Sequence, residues 1–243
     1  MKTNMIGVLI IVMAVGLAAF SQSAESKRLT IVSFGDSITA PRKGVVTYSD
    51  VLRETFSGKN VEVINAGIGG NTTDHAKKRF EKDVLAKSPD LVIIQFGNND
   101  SAVDVWKDPP ATGPRVPLAD YVKNLSEMIT TLRAGNVKVI LVTPLPTRWT
   151  EKLRGMYGKP PYDPADPDGF NFMKKDYVAA LKSIGRKNRV PVIDLFSVYH
   201  RYGKETGRSM DELFTDGMHP NSEGHRIEAE LLIKEIKKLK LGI

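Results

Sequence analysis

The chain contains no cysteine. It therefore holds no disulfide, no thiolate metal site and no residue for lipoprotein-type lipid attachment. Histidine is scarce, at four in 243 residues, and none stands in a His-Glu-x-x-His spacing. Asp216, His219 and His225 come nearest to a ligand set, but no known metal spacing supports them. Neither a metal nor any other cofactor is expected. Internal repeats and low-complexity linkers are absent. So is an apolar run of the roughly 20 residues that a membrane span requires. No single sign of charge dominates: 35 Lys and Arg face 28 Asp and Glu, for a formal net charge of +7. The basic residues are scattered, and their densest cluster, "KEIKKLK", reads as a solvated helix face near a helix C-terminus. Without a basic patch or motif, a nucleic-acid partner is not expected.

What is present begins with "MKTNMIGVLIIVMAVGLAAFSQSAES". One lysine, an apolar run from Met5 to Phe20 and a small polar stretch make the layout of a secretory signal peptide, with cleavage after Ser23. The expected location is secreted or periplasmic, with an uncleaved N-terminal membrane anchor as the alternative. Residues 1–23 are thus read as the signal and 28–243 as one domain, which at this length buries a core large enough to fold without disulfides.

Past that segment, apolar runs alternate with helical patterns. "LTIVSF" (29–34), "VEVINA" (61–66), "LVIIQF" (91–96), "VKVILVT" (137–143) and "VPVIDL" (190–195) are short, rich in Val and Ile and bounded by turn residues, as buried strands are. Their near-continuous apolarity predicts parallel strands covered on both faces. Helices are expected over 45–56, 72–86, 118–134, 170–187 and 222–240. The pattern is that of a doubly wound α/β fold, in which ligands bind beyond the carboxyl ends of the strands.

Four of the loops at that edge carry polar chemistry: "GDSIT" (35–39), "GIGGNTT" (67–73), "GNND" (97–100) and "TDGMHP" (215–220). Ser37 is expected on a tight strand-to-helix turn. A serine hydroxyl needs a base to become a nucleophile, and a histidine oriented by a carboxylate is the usual one. Asp216 and His219, three residues apart, can face the same way. An acyl-transfer intermediate also needs donors for its oxyanion. The N–H groups of the glycine loop can approach a substrate closely, and the Asn99 side chain can add another. His75 is expected on a helix face, His200 in packing or at the surface, and His225 one to two turns into the last helix.

Together and in this order, "FGDSIT", "NAGIGGNTT", "QFGNND" and "DGMHPN" resemble the SGNH, or GDSL-type, hydrolase family. The resemblance implies an esterase with Ser37 as nucleophile and Asp216 and His219 completing the triad. It implies an oxyanion hole from the Ser37 and Gly70 amides, with Gly67 as the other choice of glycine, and from the Asn99 side chain. The serine motif lacks the second glycine of the G-x-S-x-G elbow of α/β-hydrolases, and Asp and His stand nearly adjacent. Both points favour a three-layer flavodoxin-like sandwich with a five-stranded parallel sheet.

Two long loops, 105–117 and 144–170, are rich in proline and aromatics and fall at the same edge, where long loops bind substrates or act as lids. Trp106, Trp149, Tyr157 and Tyr162 are candidates for stacking on a sugar, and Arg115 and Arg148 for holding a carboxylate. These loops are polar rather than apolar. That points to deacetylation of a carbohydrate ester. The alternatives are a lysophospholipase, thioesterase or arylesterase, and outside enzymes a carbohydrate-binding protein on the same frame.

Overall fold

The computed structural model describes residues 28–242. The expected signal segment lies outside them. In chain order the elements are β1 (Leu29–Gly35), α1 (Tyr48–Thr55), β2 (Val61–Gly67), α2 (Thr73–Asp83), β3 (Leu91–Gln95), α3 (Leu118–Ala134), β4 (Lys138–Val142), α4 (Glu151–Tyr157), α5 (Lys174–Asn188), β5 (Val192–Ile193), α6 (Leu195–Thr206) and α7 (Ser222–Lys238). The strands form one parallel sheet in the order β2-β1-β3-β4-β5. This is the flavodoxin-like order, whose topological switch point lies between β1 and β3.

The apolar runs explain the layers. Successive side chains of a strand point to opposite faces. Val32, Phe34, Val92, Ile94, Val139 and Leu141 accordingly meet α2, α3 and α5 on one side. Ile31, Leu91, Ile93, Ile140 and Val142 meet α1, α6 and α7 on the other. A third, smaller cluster joins Val103, Val105, Leu153, Tyr157, Tyr162 and Phe170, and packs the two long loops onto each other.

The larger departures from expectation have local causes. The fifth strand shrinks to Val192–Ile193. Pro191 has no N–H to give a ladder, and Asp194 turns the chain by capping α6, its carboxylate accepting from Ser197 N–H and Oγ–H. Two helices, α4 and α6, arise where none was expected. Finally, α5 starts at Lys174 rather than 170. Asn171 is held out of the helix by Thr147: its Oδ1 accepts from Thr147 N–H at 2.8 Å, and its Nδ2 donates to Thr147 C=O at 3.1 Å.

The strand ends on the β2 side are pinned by one side chain. Arg79, on α2, donates to the carbonyls of Gly35 (2.9 Å) and Ala66 (2.8 Å) and to Asn71 Oδ1 (2.8 Å). Its guanidinium also lies 4.4 Å from the centre of the Phe34 ring. One residue thus ties the ends of β1 and β2 to the loop that follows β2. Replacing it strands several acceptors, each at a cost of roughly 1–3 kcal/mol. Arg79→Met is expected to lower the unfolding free energy by at least about 2 kcal/mol, read from urea midpoints. An unchanged midpoint would mean that water serves those acceptors equally well.

Candidate active site

β1 delivers the chain into a turn over 36–40, closed by Ala40 N–H donating to Asp36 C=O at 3.0 Å. The buried Asp36 side chain braces it, Oδ1 accepting Ile38 N–H at 2.9 Å. Ser37 stands on this turn, half-buried. Contrary to the expected strand-to-helix turn, the chain does not pass straight into a helix, because α1 starts only at Tyr48. Burial pushes the Asp36 carboxyl up to about 7; the Ile38 N–H opposes the rise and Asp100 adds to it.

The histidine loop is fixed from both ends. Phe214 and Pro220 form an antiparallel bridge, and Thr215 N–H donates to His219 C=O at 2.9 Å. Asn221 then caps α7, accepting from Glu223 and Gly224 N–H. Between them Gly217 takes φ +84°, and a Cβ there would meet Arg148 C=O at 2.5 Å. Only glycine fits so close a backbone approach, and it lets Arg148 N–H bond Gly217 C=O at 2.7 Å.

This loop brings together the three residues singled out from the sequence. His219 Nδ1 lies 2.8 Å from Asp216 Oδ2, and His219 Nε2 lies 3.0 Å from Ser37 Oγ, across 182 residues of sequence. With the proton on Nδ1, donated to Asp216, Nε2 is left to accept from the serine hydroxyl. Asp216 Oδ1 accepts the N–H groups of Met218 and His219, at 3.0 and 2.9 Å. Partial burial opposes its charge, but the His219 side chain and these backbone donors outweigh burial and hold the carboxyl well below the usual carboxylate range. It stays ionised throughout the physiological range.

Gly70 and Asn99 stand at the same cavity, of about 300 Å³, as Ser37 and His219. Gly70 is at φ +74°. Gly67, the other glycine considered, has a packing role: a Cβ there would meet Ala40 N at 2.3 Å. Asn99 is held at both ends of its amide. Its Nδ2 donates to Asn71 C=O at 3.0 Å, and its Oδ1 accepts from Arg115 Nη1 at 2.8 Å.

The long loops supply the opposite wall through Tyr157, Tyr162 and Phe170. The rings of Tyr157 and Phe170 stack at 5.1 Å, and Tyr162 meets both edge-on. These rings pack the loops and line the cavity at once. Of the six residues expected to bind substrate, Arg115, Tyr157 and Tyr162 line this cavity. Trp106, 46% exposed, borders a shallower depression near His75. Arg148 is paired with Asp211. Trp149 packs on Phe170 at 4.8 Å, under Arg154. Aromatic and basic identity alone did not distinguish lining from packing. Phe170, Lys174 and Met218, which do line the cavity, were not singled out, and nothing local in the sequence marks them.

The other histidines lie elsewhere. His75 Nδ1 is 2.9 Å from Thr72 Oγ1 at the start of α2. His200 sits on α6, its Nε2 2.6 Å from Asp168. His225 is buried in α7, 3.9 Å from Glu228, and burial pulls its pKa down to about 4. Among the described residues, no group of three or more His, Asp or Glu could hold a metal ion.

A crystal structure of the lipase/acylhydrolase from Enterococcus faecalis superposes with a TM-score of 0.67 at 29% identity, covering 86% of this chain and 96% of that one. An acetylxylan esterase of Geobacillus stearothermophilus is 26% identical over 79% of this chain and 80% of its own length. An arylesterase of Vibrio mimicus is 25% identical over 96% and 99% respectively. The model of the GDSL-like lipase/acylhydrolase family matches residues 33–227, and on that match, over a five-stranded parallel sheet of the family's kind, the chain belongs to the GDSL-like lipase/acylhydrolase (SGNH) family of esterases.

Proposed function

We propose that the protein removes O-acetyl groups from a carbohydrate, with Ser37 as nucleophile, outside the cytoplasm after export by its N-terminal segment. The observation that carries the chemistry is the relay from Asp216 through His219 to Ser37, opening on a cavity. In this reading Ser37 Oγ attacks the ester carbonyl as His219 Nε2 takes its proton. Asp216 stabilises the imidazolium that results. The oxyanion is received by the amides of Ser37 and Gly70 and by Asn99 Nδ2. His219 then returns the proton to the departing alcohol, and water releases the acid by the same route.

Arg115 acts here through Asn99 rather than on a substrate carboxylate. Its Nε and Nη2 are taken by Asp104 Oδ1, at 2.9 and 2.7 Å, and its Nη1 by the Asn99 carbonyl. An asparagine amide has two N–H donors. With its oxygen held by Arg115 and one N–H by Asn71, the second N–H is aligned in advance. Such preorganisation is what makes an oxyanion donor effective.

Two features support an acetylated sugar over a lipid. The cavity mixes stacked aromatic rings with Asn98, Ser101 and Thr147, a combination suited to a ring that bears hydroxyls. An acetylxylan esterase is also among the relatives. The arylesterase relative keeps an aryl ester as the second reading, since the same rings would stack on an aromatic alcohol.

Four outcomes are expected. Ser37→Ala and His219→Ala should each lower kcat by on the order of 10⁶ with an unchanged melting temperature. Near wild-type turnover in either purified variant would remove that residue from the mechanism. Asn99→Ala should lower kcat by about 10²–10³ with little change in KM. Arg115→Ala should lower kcat only while Asn99 is present, so that the double variant is no slower than Asn99→Ala; additive losses would make the two independent. Finally, a series of 4-nitrophenyl esters should be cleaved fastest at acetate, and acetate should be released from acetylated xylo-oligosaccharides. An optimum at medium or long chains would replace the carbohydrate reading with a lipid one.

A further inference from the structure

The cavity beside Ser37 contains a cation that the triad and the oxyanion donors do not use. Lys174 lines it, yet is only 4% exposed. Among the described residues, its ammonium takes part in no hydrogen bond and in no ion pair. An unpaired ammonium is among the least common buried groups. Its position is unfavourable a second time. Lys174 is the first residue of the 15-residue helix α5, whose preceding residue, Met173, makes no side-chain cap. The positive end of a helix dipole favours anions and repels cations. A cation held there without an anion in contact costs stability, and an arriving anion would relieve both terms.

Among the described residues, Asp36 is the one acid that acts on Lys174, but the two form no contact pair. Asp36 Oδ1 is occupied by the Ile38 N–H, Oδ2 makes no hydrogen bond among the described residues, and burial drives this carboxyl toward its neutral form. Burial likewise pulls the Lys174 amine down to about 7, with Asp36 opposing the fall. An anion beside the amine would favour its charged state. The Phe170 ring centre lies 6.0 Å from Nζ, so an aromatic wall stands next to the cation.

From this geometry we propose that the cavity binds a carboxylate carried by the ester substrate, with Lys174 and the N-terminus of α5 as its receptor. The substrate class becomes an acidic ester, either an acetylated sugar that bears a carboxylate or an acyl chain that ends in one. The proposal rests on the reading of Ser37 as an esterase nucleophile, and it adds what the cavity selects.

Two matched pairs of esters test it and separate the sources. Acetylated methyl glucuronoside against acetylated methyl glucoside places the charge on the sugar. The mono-4-nitrophenyl ester of adipic acid against 4-nitrophenyl hexanoate places it on the acyl chain. In one pair, wild type should favour the charged member by about tenfold or more in kcat/KM, the scale of a hydrogen bond to a charged group. Lys174→Met should bring that ratio close to one, and Lys174→Arg should keep more of it. Removing a desolvated charge should not lower the melting temperature.

Equal treatment of both members of both pairs by wild type would overturn the proposal. So would a preference that survives Lys174→Met, or a loss shared equally by both members together with a lower melting temperature. Calorimetric titration with methyl glucuronoside and with monomethyl adipate, in Ser37→Ala with and without Lys174→Met, reads the site without turnover. If neither binds in a Lys174-dependent way, the carboxylate site is wrong even if esters are cleaved. If wild type fails to cleave 4-nitrophenyl acetate while such binding is seen, the esterase reading fails and the site stands.

Discussion

β1 is hydrogen-bonded on both sides, to β2 along its whole length and to β3 from Ile31 to Gly35. Parallel strands must all end on the same edge, and at the switch point between β1 and β3 the flanking connections leave toward opposite faces. The crevice that opens there receives the Ser37 turn from β1, the glycine loop from β2 and the Asn99 loop from β3. The ladder therefore sets the spacing between Ser37, the glycine loop and Asn99 before any of those side chains makes a contact. Arg79 adds a lateral tie at this edge, binding the carbonyls of Gly35 and Ala66.

The histidine arrives by another route. His219 lies 182 residues beyond Ser37, on a loop held by the Phe214–Pro220 bridge, the Asn221 cap and Gly217 against Arg148. The Gly217–Arg148 contact also joins this loop to the long segment 144–170, which walls the cavity. One backbone approach thus couples the placement of His219 to the shape of the cavity. It works because glycine alone tolerates both the positive φ and the closeness of the carbonyl.

Much of the frame was legible in the residues. Short Val- and Ile-rich runs marked β1 to β4 within a residue or two, because a strand buried on both faces has little choice of composition. The helix over 118–134 was located to the residue. β5 was overextended because Asp194 acts as a cap rather than as a strand residue. α6 was missed because its apolar residues Leu195, Tyr199 and Tyr202 followed directly on what read as a strand. Ser37, Gly70, Asn99, Asp216 and His219 were all named from motifs at strand ends, and all five stand at or beside one cavity. The substrate-facing residues were much less legible. Arg148 and Trp149 have the chemistry of ligand binders but face other partners, Trp106 borders a neighbouring depression, and Lys174, at the start of a helix, carries no local mark of its place in the cavity.

The division has a physical basis. Periodicity and turn chemistry are local, so the chain alone determined the alternation of strands and helices, the parallel sheet and the loops that carry reactive groups. Whether an arginine meets a ligand, an asparagine or an aspartate depends on contacts between distant segments, such as Arg115 with Asn99 and Asp104. Burial is likewise a property of the packed whole. Only the tertiary structure decided that Lys174 lies desolvated in the cavity, that Tyr157, Tyr162 and Phe170 form its wall, and that Gly67 serves packing while Gly70 faces the site.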